Sequence, residues 1–170
     1  MHKRVILLNG PSGSGKSTLA HALRQCLQNL RNEDWPIFSI DDYLKMDPDR
    51  PIYEDDVYEI NASLLKDAVA ALQTAPGVIV DHVITSERIY LQCCGAFASA
   101  SLRSVLVTCP LNVLIARERA RKDRCIGSAE ASMTYLYPKD GYALSVDTGK
   151  ATPCACADAL YRQFFSEDTL

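Results

Sequence analysis

The run Gly10-Pro11-Ser12-Gly13-Ser14-Gly15-Lys16-Ser17 constrains the fold of this chain more than any other stretch. It has the spacing G-x-x-x-x-G-K-[ST], and it sits between the short apolar run Arg4 to Leu8 and a helical pattern, Lys16 to Leu30, in which Leu19, Leu23, Leu27 and Leu30 recur every three or four residues. Strand, glycine-rich turn, helix is the context that gives this spacing its chemical meaning. Gly13 and Gly15 let backbone N–H groups turn inward around phosphate oxygens, where a β-carbon would block the dihedrals or the approach. The helix opening at Lys16 adds its positive end. Lys16 offers an ammonium to the β- and γ-phosphates and Ser17 a hydroxyl to Mg²⁺. The expected ATP contacts therefore run over Gly10, Pro11, Ser12, Gly13, Ser14, Gly15, Lys16, Ser17 and Thr18.

Further apolar runs at Ile37 to Ile40, Val78 to Val83 and Leu102 to Thr108, with a weaker one at Tyr142 to Val146, suit strands buried on both faces. Helical spacing separates them at Asn61 to Leu72, Ser86 to Ala98, Asn112 to Arg121, Ser128 to Tyr137 and Thr152 to Phe165. Strand and helix in alternation predict an α/β fold with a parallel sheet covered on both faces. The stretch Asp42 to Glu59, rich in Asp, Glu, Pro and Tyr, shows neither period and reads as a loop, either solvated or facing substrate at the end of the second strand.

A chain of 170 residues with 48% apolar side chains has room for one core, so one domain is expected over 1–170. The net charge is −3 and the basic residues are dispersed, which excludes a phosphate-tracking nucleic-acid surface. The opening apolar run is too short for a signal peptide or a membrane span, so no membrane partner and a cytoplasmic location are expected. Seven cysteines without zinc-knuckle spacing read as reduced thiols.

Phosphoryl transfer needs a carboxylate to organise the metal, and Asp81, ending Val78-Ile79-Val80, is placed for it beside Ser17. His82 alternates to the other side of that strand and reads as structural or lining. Asp41 closes Phe38-Ser39-Ile40 on the same sheet edge and is the candidate base for an acceptor hydroxyl. Arg117, Arg121 and Arg124 share a helical face and could clamp phosphoryl oxygens from a lid at about 121–135; a solvated basic face, paired with Glu118 and Asp123, is the competing reading.

Over nearly its whole length the chain resembles the chloramphenicol phosphotransferase-like P-loop kinases, in the opening Val-Ile-Leu-Leu-Asn-Gly-Pro-Ser-Gly-Ser-Gly-Lys-Ser, Phe38 to Asp41, Val78 to Asp81, Arg117 to Arg124 and Tyr142 to Thr148. The resemblance implies a three-layer P-loop fold with a five-stranded parallel sheet in the order 2-3-1-4-5 and a short lid. It also implies Asp41 as general base, Lys16, Arg121 and Arg124 at the transferring phosphate, Arg117 at the nucleotide, and Asp147 and Thr148 near the adenine. The implied reaction moves the ATP γ-phosphate, with Mg²⁺ on Ser17 and Asp81, to a hydroxyl of a small molecule. The chain departs from the antibiotic kinase itself at Asp42, His82 and Tyr137, where that enzyme carries Ser, Asp and His, and over Tyr43 to Glu59. The acceptor pocket is therefore expected to be built differently, and the residues name no acceptor: chloramphenicol, or the acceptor of another small-molecule or nucleotide kinase, stays open.

Overall fold

The strand β1 (Arg4–Asn9) is apolar on both faces, with Val5, Ile6, Leu7 and Leu8 no more than 1% exposed, and such a strand needs a layer on each side. Each of those side chains contributes about 1.5–3 kcal/mol by leaving water. In the computed structural model, which describes residues 3–44, 52–120 and 126–166, β1 is the middle strand of a parallel sheet. β3 (Gly77–His82) and β4 (Ser101–Thr108) flank it, with β2 (Ile37–Ser39) beyond β3 and β5 (Leu144–Asp147) beyond β4, so the order is 2-3-1-4-5. That is the expected P-loop arrangement.

Ile6 and Leu8 point into a core with α1 (Lys16–Arg31) and α7 (Pro153–Phe165), where Leu19, Leu23 and Leu27 meet Leu160 and Phe165. Val5 and Leu7 point the other way, onto α3 (Glu54–Ala71) and α4 (Glu87–Ala96) through Leu64, Leu65, Ala68, Ile89 and Cys93. α5 (Leu111–Ala120) and α6 (Ser128–Tyr135) pack together around Leu114 and Ala129. The strands are parallel, so their carboxyl ends share one edge, and Asn9, Ser39, Asp81, Thr108 and Asp147 all arrive there.

Two expectations fail between the second and third strands. β2 stops at Ser39, and Ile40–Tyr43 forms a single turn, α2, so Asp41 lies on a helical turn rather than closing the strand. The stretch read as irregular also contains the first turns of α3, from Glu54. Its opening residues, Glu54, Asp55 and Asp56, favour the positive end of the helix, and the Asp56 carboxylate accepts from the Tyr53 N–H at 3.0 Å. Only Val57 and Tyr58 of these turns pack partly against the core, among four acidic residues, and so short an apolar stripe hides the helical period. Among the described residues no helix is long and apolar enough to cross a membrane, and Cys26, Cys93, Cys94, Cys109, Cys154 and Cys156 are free thiols.

Candidate active site

The phosphate loop leaves β1 and enters α1. Gly13 and Gly15 have φ of +79° and +86°, a region closed to most side chains. The Lys16 ammonium donates to the Pro11 carbonyl at 3.0 Å, and the Ser14 N–H donates to the same carbonyl at 3.2 Å, which curls the loop around the lysine. Ser17 and Thr18 follow on the first turn of α1, both facing the cleft.

β3 brings Asp81 to this loop. Its side chain is 3% exposed, and Oδ2 accepts the Ser17 hydroxyl at 2.6 Å and the Ser39 hydroxyl at 3.3 Å. Short bonds of a hydroxyl to a carboxylate are strong. They leave Asp81 Oδ1 and the Ser17 oxygen as hard donors on one side of the loop, the donor type that Mg²⁺ prefers. The next residue alternates away: His82 is fully buried on the α3 side, its Nε2 3.2 Å from Asn61 Oδ1. Burial pushes its pKa down to about 4, and the nearby Lys16 adds to that, so the ring is neutral near pH 7.

A cleft of about 520 Å³ runs along the carboxyl edge of the sheet. One end is formed by the phosphate loop with Arg117, Thr148 and Pro153, the other by Ile40, Asp41 and Val83, and Ser17 and Asp81 lie in the same wall. Arg117, on α5, donates through Nη1 to the Gly13 carbonyl at 3.1 Å and through Nη2 to the Thr148 carbonyl at 3.2 Å. The Thr148 hydroxyl in turn bonds the Ser14 carbonyl at 2.6 Å. Asp147 is engaged within its own loop, accepting from the Gly149 N–H at 2.8 Å, with Lys150 Nζ 3.5 Å from its other oxygen, and the cleft wall contains Thr148 instead. Arg121 and Arg124 lie outside the described residues.

Glu118 is no member of a solvated charged face. It is 7% exposed, and its carboxylate accepts from the Gly127 N–H at 2.9 Å and the Ala129 N–H at 2.8 Å, which holds its pKa below the usual glutamate value. Two further residues escaped the sequence reading. Asn9, buried just before the loop, accepts from the Ile84 N–H at 2.9 Å and donates to the Tyr137 carbonyl and the Tyr142 hydroxyl, each at 2.8 Å. Ser132, on α6, accepts the Ser12 N–H of the phosphate loop at 2.9 Å. A polar residue closing an otherwise apolar strand was the available signal for Asn9; nothing local marks Ser132.

A family model, described as chloramphenicol phosphotransferase-like protein, matches residues 3–165. The chain belongs to that family. Its members are P-loop kinases, and a nucleotide and a hydroxyl-bearing acceptor are what such an enzyme uses. No curated protein matches the chain. Among solved structures, the Mycobacterium tuberculosis APS kinase bound to AMPPNP and APS superposes with a TM-score of 0.77 at 17% identity, covering 97% of this chain and 99% of that one. A gluconokinase from Sinorhizobium meliloti does so with a TM-score of 0.67 at 20% identity, covering 96% of this chain and 98% of that chain. The tunicamycin resistance protein of Deinococcus radiodurans also gives 0.67, at 19% identity and 96% coverage of both chains. Identities this low establish the shared fold and no shared substrate.

Proposed function

We infer that this member of the chloramphenicol phosphotransferase-like family transfers the γ-phosphoryl group of ATP to a hydroxyl of a small molecule, with Asp41 as general base. The observation that supports it is the single cleft in which the phosphate loop, the Ser17–Asp81 pair and Asp41 face one space. Lys16 and the loop amides hold the phosphates, and Arg117 and Thr148 flank the nucleotide end. Ser17 and Asp81 are the residues that would hold Mg²⁺, and the bound ion supplies charge neutralisation at the β- and γ-phosphates. The acceptor enters from the Ile40–Val83 end. Its oxygen attacks the γ-phosphorus, the bond to the β–γ bridging oxygen breaks, and the acceptor proton passes to the Asp41 carboxylate as ADP leaves.

A carboxylate at this position favours a neutral hydroxyl over a phosphate acceptor, which is already ionised and would be repelled. The chain is read as one domain over 1–170 acting in the cytoplasm, where ATP is available. The test is ATP consumption with Mg²⁺ across a panel of hydroxyl-bearing antibiotics, nucleosides, sugars and vitamins, with product mass measured. An acceptor that gains one phosphoryl group with the native enzyme and none with Asp41→Asn supports the reading. An Asp41→Asn variant turning over at near-native rate removes Asp41 from the mechanism.

A further inference from the structure

Arg117 and Glu118 are neighbours on α5 and serve two different elements. Arg117 reaches the phosphate loop at Gly13 and the Thr148 loop, while Glu118 takes the Gly127 and Ala129 amides at the start of α6. From there the bonds return to the loop. The Ala129 carbonyl accepts the Ser132 hydroxyl at 3.0 Å, which spends that hydroxyl's hydrogen and leaves its oxygen to accept the Ser12 N–H at 2.9 Å. Ala129 is thus held at its N–H by Glu118 and at its C=O by Ser132, and the path Glu118, Ala129, Ser132, Ser12 is continuous. Glu118, Ala129 and Ser132 are each at most 9% exposed, so water does not easily replace these bonds.

A loop that carries two glycines at positive φ has little conformational preference of its own. If it is ordered only when nucleotide arrives, binding bears the ordering entropy; if contacts from the protein order it beforehand, that cost is removed. We propose that Glu118 and Ser132 are positioning residues that pre-order the phosphate loop by tying α6 to Ser12, and so set the enzyme's affinity for nucleotide. This rests on the kinase reading above but makes no use of Asp41 or of the acceptor. A helix cap that merely stabilises α6 would leave nucleotide affinity unchanged.

The experiment is calorimetric titration of ATP with Mg²⁺ into the native protein, Ser132→Ala, Glu118→Gln and the double variant, with unfolding midpoints measured alongside. Loss of one buried hydrogen bond in the path is expected to weaken ATP by about 3- to 10-fold. Because both residues act through one path, the double variant should be no weaker than the poorer single variant. Hydrogen exchange supplies a second readout: ATP should slow exchange over residues 128–135 in the native protein and leave it unchanged in Ser132→Ala. Should Glu118→Gln fail to fold, the Ser132→Ala titration and its exchange response decide the matter alone. Affinities within twofold of native in a protein that binds ATP, strictly additive losses, or losses that only track the unfolding midpoint overturn this proposal and leave the kinase reading standing. A native protein that does not bind ATP overturns both.

Discussion

Gly10→Ala probes how closely the phosphate loop must approach the sheet. A β-carbon built on Gly10 lies 2.2 Å from the Val107 backbone oxygen and 3.0 Å from Ser14 Oγ. Carbon makes ordinary contacts at about 3.5 Å, so the loop and β4 would have to separate by roughly 1.3 Å. β4 is paired to β1 on one side and β5 on the other, which leaves the loop as the part that gives way. A displacement of about 1 Å in catalytic geometry costs on the order of 100-fold in rate, and overpacking costs about 1–3 kcal/mol, or about 2–4 °C of unfolding midpoint per kcal/mol. The assays are ATP affinity, acceptor-dependent turnover, or basal ATP hydrolysis until an acceptor is found, and thermal unfolding. Gly95→Ala is the control: it sits on α4 with nothing within 4 Å of its β-carbon and should gain about 0.5–1 kcal/mol with activity intact. A Gly10→Ala enzyme within threefold of native turnover and unchanged in midpoint would refute the argument that this approach shapes the site.

Asp81→Asn weakens the bond to Ser17 and removes the carboxylate proposed to hold Mg²⁺, so turnover should fall by about 100-fold and need more Mg²⁺; a variant with native Mg²⁺ dependence would take Asp81 out of the proposed metal site. Trp35→Ala should cost about 3–5 kcal/mol in a urea titration, since the ring is 1% exposed, packs edge-on against Phe165 at 5.4 Å between centroids and donates its indole N–H to Glu33 at 2.9 Å. Burial pushes the Tyr142 hydroxyl from 10.0 up to about 12. Between those values the unfolded chain has released a proton that the folded chain keeps, so its contribution to stability is constant below pH 10 and is lost as pH rises toward 12; in Tyr142→Phe that part of the alkaline decline should be absent.

What could be read along the chain depended on how local each cause is. The phosphate loop was legible because its chemistry resides in eight consecutive residues, and the strands because a strand buried on both faces is apolar at nearly every position. Asp81 was legible as the polar end of Val78-Ile79-Val80, and the structure places it in hydrogen-bond contact with Ser17. The first turns of α3 were not, since Val57 and Tyr58 among acidic residues make too short a stripe to display the period. The role of Glu118, named only within the competing reading of a solvated face, was not legible for a related reason: among several charges on one helix, sequence does not reveal which carboxylate turns inward to amides nine and eleven residues away.

The sequence by itself determined that this chain has a strand, a phosphate-binding turn and a helix at its start, because glycine conformational freedom, a lysine and a helix amino terminus act over neighbouring residues. Only the tertiary structure decided what that turn would face. Ser17 meets Asp81 across 64 positions, and Arg117 meets Gly13 across 104. Those meetings follow from parallel strands in the order 2-3-1-4-5, which deliver residues distant in the chain to one edge of the sheet.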